Sequence, residues 1–451
     1  MRLRLLTLVV VCALRLGAQA AAAPHPVVLI SIDGLKPEYV LGADEYGLKI
    51  PNLRALVARG AHASGVMGVV PTVTFPSHTT LVTGAAPARH GVTSNTTFDP
   101  LNKNQEGWYW YASDIRVPTL WDAVADAGRT TGNVHWPVTV GARITWNLPQ
   151  VWRTGEADDR KLVRALSTPK LYDAMEREVG APYADGMDES IAGDELRARF
   201  AARMVESRHP AFMLAYFTAL DHEQHQNGPF SPAALATLER IDAIVGTMIA
   251  AATRAYGGKA IIAIVSDHGF QRTGKSLNLI YALRQAGLVD FPAGVDDKPS
   301  AWRAAAWPAG GSAAIVLQDS TDTATRDRVT KLLQSLAADS VNGIERVVDA
   351  AELRRRGGFP TAAFLVTLRE GYSIGSNSRG PLIADTPAGG NRGNHGYWPD
   401  TPAMRASFIL AGPGIPRGRD LGLVDQRAIA PTLAKLLGVR LPSVEVGPLL
   451  P

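Results

Sequence analysis

The chain has 451 residues, is 46% hydrophobic and 20% charged, and carries a formal net charge of +4. That apolar fraction is ample for a sizeable core and excludes a disordered or low-complexity protein. The single cysteine, Cys12, excludes a disulfide framework and any thiolate-ligated zinc site.

Arg2 and Arg4 precede an apolar run from Leu5 to Leu14, and Ala18-Gln19-Ala20 offers a small-residue cleavage site, the pattern of an export signal. The run is too short to span a bilayer, so residues 1–20 are expected to be a cleaved signal peptide, with no stable membrane insertion and a periplasmic or secreted product. Cys12 lacks the small residue expected just before a lipid-modified cysteine, which argues against a lipoprotein. Cleavage removes Arg2, Arg4 and Arg15 and takes the net charge from +4 to +1, so basicity points to neither duplex nucleic acid nor a membrane surface as partner. Residues 24–451 are read as one large domain.

Val27-Val28-Leu29-Ile30 runs into Asp33-Gly34, Phe212 to Phe217 runs toward Asp221 and His225, and Ala260 to Val265 runs into Asp267-His268. Short, almost wholly apolar runs read as buried strands of a parallel sheet. Open α/β sheets bind ligands outside the carboxyl ends of their strands, so three runs ending in acidic residues should deliver them to one crevice. Helical periodicity is clearest in Asn52 to Arg59, Thr119 to Ala127, Leu196 to Glu206, Ala233 to Ala255, Thr325 to Ala337 and Gln426 to Leu437. The alternation predicts an α/β fold with a doubly wound, mostly parallel sheet flanked by helices. Between His268 and His395, strand candidates Ala313 to Leu317 and Ala362 to Leu368 predict a small α/β subdomain around 275–390, beside the site. Its Gly- and Pro-rich flanks are Pro292 to Gly311 and Thr386 to Gly396; the second carries His395 and is expected to order with metal.

Asp33, Asp221, His225, Asp267, His268 and His395 together supply three carboxylates and three imidazoles. Split as Asp, Asp, His and Asp, His, His, they would give each of two divalent ions three protein ligands with positions left open. Mixed carboxylate and imidazole ligation suits zinc first, with manganese or iron as alternatives. Thr74, just before Pro76, sits where a helix would start, and a helix N-terminus attracts phosphate. Its hydroxyl becomes a competent nucleophile only if a coordinated cation lowers its pKa.

Thr74-Phe75-Pro76 with His78, Thr83-Gly84, His90-Gly91 and Asn95, together with the six ligands in their order, resembles the nucleotide pyrophosphatase/phosphodiesterase branch of the alkaline phosphatase superfamily. The resemblance implies that Asp221, His225 and His395 hold one zinc, and that Asp33, Asp267 and His268 hold the other together with Thr74. It further implies that Thr74 attacks phosphorus to give a phosphothreonine, and that Asn95 and the Phe75 N–H bind a phosphoryl oxygen. The Phe75 ring, with Trp152 opposite, would wall an apolar leaving group such as a nucleobase. Trp136-Pro137 matches a family landmark, whereas Val138-Thr139-Val140 replaces the Gly-Ser-Asp that commonly follows.

The expected activity is therefore metal-dependent phosphoric diester hydrolysis on a small phosphate ester, expected to be a nucleotide. A monoesterase on the same scaffold would need added positive charge at the phosphoryl group, for which Lys103, Arg143 and Arg153 are the candidates. The alternative from another class is a metal-stabilised binding protein without turnover.

Overall fold

In the computed structural model, residues 24–104, 107–151, 158–295 and 298–450 are described. An eight-stranded sheet forms the centre, in the order Arg419–Asp420, Ala61–His62, Phe408–Ala411, Ile261–Val265, Val27–Ile32, Phe212–Phe217, Thr131–Val134, Trp146–Leu148. Val27–Ile32 runs parallel to both neighbours, with Val27 opposite Phe212 on one side and Ile261 on the other. This register places Asp33, Thr218 and Asp267, each just past a strand, along one edge.

The sheet is covered on both faces because the strand residues alternate between two cores. Val28, Ile30 and Ile32 pack with Leu53, Phe200, Ile241 and Met248, beneath the helices Ile191–Arg208 and Pro232–Tyr256. Val27 and Leu29 pack with Trp121, Val124 and Leu433 on the opposite face. Buried on both sides, these strands read as continuous apolar runs rather than alternating ones. The longest helix begins at Pro232, capped by the Ser231 side chain, and ends where Gly257 turns left-handed at φ 59°.

Beyond Asp267 the chain builds two smaller sheets. One is antiparallel, ordered Ala304–Ala309, Ser312–Leu317, Ala362–Leu368, Ile344–Asp349, with helices Thr323–Ala338 and Ala350–Arg356. The other centres on Gln271–Leu277, paired with Gly371–Ile374, Ile383–Asp385 and Gly393–Asn394. The sequence does not show this second sheet: Gln271–Leu277 is polar and half exposed and has no apolar run. Trp108 to Tyr111 forms no strand and pairs only through isolated bridges, Thr96 with Trp108 and Tyr111 with Val140. The helix expected from Gln426 starts as a 3-10 turn, with the α-helix confined to Ile429–Leu437. No helix among the described residues is long and apolar enough to cross a membrane.

Candidate metal centre

One half of the site is built on strand ends. Asp33 leaves Val27–Ile32 into a turn at Gly34, whose φ is 67° and where a Cβ would lie 2.7 Å from the Gln224 amide, so glycine is required there. The Gly34 N–H donates to Asp267 Oδ1 at 3.2 Å, and the Tyr216 hydroxyl donates to Asp33 Oδ2. His268 Nε2 lies 3.2 Å from Asp267 Oδ2 and 3.4 Å from Asp33 Oδ1.

The other half is carried by a helix and a loop. Asp221 and His225 are one turn apart on the helix Ala219–Asn227, so Asp221 Oδ2 comes to 3.4 Å from His225 Nε2. Asp194 fixes the helix start by accepting the N–H groups of Thr218 at 3.0 Å and Ala219 at 2.9 Å. Arg197 pairs with Asp194 and donates to Thr218 Oγ1 at 2.9 Å, both side chains being fully buried. Burial pushes the Asp194 carboxyl up, and Arg197 pulls it back. Sequence reasoning missed this pair, since Asp and Arg three apart on a helix ordinarily mark a solvated face. His395 follows Gly393–Asn394, which pairs with Gln271–Arg272, and the Gly396 N–H donates to Thr72 O at 2.9 Å. Backbone pairing thus places a loop that was expected to order with metal.

The three imidazoles share a design. Nδ1 faces a backbone carbonyl in each: Gly393 at 3.1 Å for His225, Gly269 at 3.2 Å for His268 and Thr72 at 3.3 Å for His395. A carbonyl only accepts, so the proton resides on Nδ1 and every Nε2 presents a lone pair to the site. Opposite them, Asp33 Oδ1, Asp221 Oδ1 and Asp267 Oδ2 are buried without a hydrogen-bond partner. Burial holds His225 down at about 4 and depresses His268 and His395, while burial and then the neighbouring carboxylates raise Asp33 and Asp221. Lone pairs converging on lone pairs in a desolvated space are reconciled by cations, so the donor set fits divalent ions of the zinc type.

Among the described residues, two groups have donor atoms that all lie within 4.8 Å of one another: Asp33–Asp267–His268 and Asp221–His268–His395. The first is the expected triad. In the second, His268 stands where His225 was expected, and the His268 and His395 rings stack at 3.7 Å. His225 reaches the group through Asp221.

Thr74 is the first residue of the helix Thr74–Thr83; Val73 occupies the cap position, so the threonine is not merely a cap. Its Oγ1 lies 3.4 Å from His268 Nε2. His78 ties that helix to the central strand, with Nδ1 at 2.8 Å from Thr74 O and Nε2 at 2.8 Å from Ser31 Oγ. Asn95 Oδ1 accepts the Phe75 N–H at 2.9 Å. The amide donor expected to meet a phosphoryl oxygen is therefore engaged by Asn95, whose own NH2 is left to donate. The Phe75 ring is 1% exposed and lies 5.1 and 5.7 Å from Trp108 and Trp110. Trp152 and Arg153 lie outside the described residues. Trp136 is buried edge-on to His78, and Arg143 is bound to Asp126 at 2.6 Å.

A mostly parallel α/β sheet with carboxylates and imidazoles gathered at its strand ends defines a protein of alkaline phosphatase-like architecture with a metal-ligand centre. More specifically, residues 27–398 match the model of the type I phosphodiesterase/nucleotide pyrophosphatase family, and the chain belongs to that family. It is 26% identical over 252 residues to an uncharacterized pyrophosphatase/phosphodiesterase of Schizosaccharomyces pombe, covering 55% of this chain and 45% of that one. To human ectonucleotide pyrophosphatase/phosphodiesterase family member 1 it is 23% identical over 271 residues, covering 58% and 25%. The match thus spans less than half the length of these relatives. Among solved structures, human ectonucleotide pyrophosphatase/phosphodiesterase 5 superposes with a TM-score of 0.64 at 20% identity, over 92% of this chain and 95% of that one. The murine counterpart, in an inactive threonine-to-alanine form in complex with AMP, has a TM-score of 0.64 at 18% identity over 92% and 96%.

Proposed function

We propose that the protein is an exported, dizinc phosphodiesterase/nucleotide pyrophosphatase that cleaves phosphate diesters through a phosphothreonine on Thr74. The carrying observation is the Thr74 hydroxyl 3.4 Å from His268 Nε2, beside three buried carboxylate oxygens without hydrogen-bond partners. Asp33, Asp267 and His268 would hold one ion, with Thr74 as a further ligand, and Asp221, His225 and His395 the other. When bound, such ions lower the pKa of an attacking hydroxyl and neutralise charge on the departing oxygen.

The chain's own residues perform the rest. The helix start presents the Thr74 hydroxyl to the ligand cluster, and His78 holds that first turn against the sheet. The Asn95 carboxamide donates to a non-bridging oxygen, its orientation set by the Phe75 N–H. Positioning and charge stabilisation suffice for a loose phosphoryl-transfer transition state. A neutral amide at the phosphoryl group favours a diester over a dianionic monoester. AMP in the murine relative supports a nucleotide as substrate. Residues 1–20 would be the signal peptide and 24–451 the catalytic domain, with 275–390 as its inserted subdomain.

The test is hydrolysis of an aryl thymidine phosphodiester against an aryl phosphate monoester by zinc-reconstituted mature protein, with Thr74→Ala as control. A strong diester preference that vanishes in the variant supports the reading; monoester preference, or activity indifferent to Thr74, overturns it.

A further inference from the structure

A concavity lies away from the metal ligands, between residues 88–98 and 109–116 on one side and the four-stranded antiparallel sheet on the other. Its volume of about 780 Å³ falls within the range of small-molecule sites. Arg116, Arg326 and Arg354 line it together with Phe98, Tyr109 and Trp302, and no carboxylate does so among the described residues. Arg116 and Arg354 are exposed, and Arg326 donates to the Ser320 carbonyl at 3.1 Å.

The aromatic side is rigid. Phe98 packs edge-on to Trp302 at 5.5 Å and against Trp307 at 5.3 Å, and the Trp307 indole N–H donates to Thr96 O at 3.1 Å. The Trp110 N–H donates to the Trp108 carbonyl at 3.0 Å, closing a tight turn about Tyr109: Trp108 and Trp110 face Phe75, and Tyr109 between them lines the cavity. The Tyr109 N–H donates to the Asn95 carbonyl at 3.1 Å, so one strip of chain separates this cavity from the catalytic amide.

Fixed aromatic faces offer stacking surface, and guanidinium groups offer planar, charge-assisted donors for phosphate or carboxylate. We propose that this cavity is a second binding site, for an aromatic anion of nucleotide size, distinct from the metal centre. The ring lies against Trp302 and Tyr109, and the anionic group meets Arg116 and Arg354. This assignment rests on the cavity alone and stands whether or not the catalytic reading does.

Calorimetric titration of zinc-loaded Thr74→Ala protein with AMP, adenosine and inorganic phosphate tests it, with Arg116→Ser and Arg354→Ser introduced together. Both arginines lie outside the catalytic machinery, so diester hydrolysis by the protein carrying only those two changes should stay at the parental level. The expected result is an AMP equivalent weakened roughly tenfold or more by the arginine changes, with adenosine and phosphate each binding that site far more weakly than AMP. If the metal centre also takes AMP, a second equivalent persists in the arginine variant. AMP binding indifferent to the arginines, or no AMP binding at all, overturns the proposal, as does phosphate binding as tightly as AMP.

Discussion

The two halves of the ligand cluster differ in how they are held. Asp33, Asp267 and His268 sit on the ends of adjacent parallel strands, with side chains 4%, 0% and 0% exposed. Asp221, His225 and His395 sit on a helix and a loop, at 14%, 21% and 9%. The first group inherits its geometry from the hydrogen-bonded ladder of the central sheet. The second depends on a buried ion pair at a helix start and on the short pairing of Gly393–Asn394 with Gln271–Arg272. Local opening reaches weakly paired, more exposed elements first, so the helix-and-loop half should be the labile one.

The largest effect is expected where the strand-end half meets Thr74, the proposed nucleophile. Thr74→Ala should lower diester turnover by roughly a thousandfold or more while zinc, measured by atomic emission, stays close to two ions per chain. His225→Ala should remove one ion and leave the strand-end ion in place, lowering activity beyond the roughly 10–100-fold cost of losing a supporting hydrogen bond; loss of both ions would mean that the halves do not act separately. In Asp194→Asn, buried Arg197 loses its charged partner, for which about 3–5 kcal/mol of stability is the expected cost. Its zinc affinity should fall only at the helix-and-loop half, as denaturant unfolding and competitive zinc titration would report. Chelation of the wild-type protein should be biphasic, one equivalent leaving well before the other, and a single phase would break the comparison.

The smallest effect is a pH dependence on the rigid side. His90 is fully buried, with Nε2 at 3.1 Å from Thr80 Oγ1 and Nδ1 accepting the Val92 N–H. Burial holds it at about 3, against 6.5 when free. The unfolded chain therefore binds more protons between those values, and the stability contributed above pH 6.5 is lost as the pH falls toward 3. His90→Gln should flatten the acid limb of a thermal-stability profile, and an unchanged limb would show that other groups govern it.

The strand-end donors Asp33, Asp267 and His268 were legible because their pattern is local: an acid or imidazole ending an apolar run is visible without knowing what packs against it. Asp194–Arg197 was not, because its polar residues become buried only when Ile191–Arg208 closes over the helix that carries Asp221. Nor was the packing of Trp108 and Trp110 against the Phe75 ring, because those side chains reach it from elsewhere in the chain.

The sequence by itself determined the sheet's central strands, the donor residues Asp33, Asp267 and His268 at their ends and the hydroxyl at a helix start, since apolar period and residue type are properties of short segments. Only the tertiary structure decided which nitrogen of each histidine faces the site, which carboxylate oxygens have no other partner, that Asn95 takes the Phe75 amide, and that three arginines and four aromatic rings surround one cavity. Those facts depend on backbone carbonyls, N–H groups and side chains brought together from distant segments, and no local pattern encodes such a meeting.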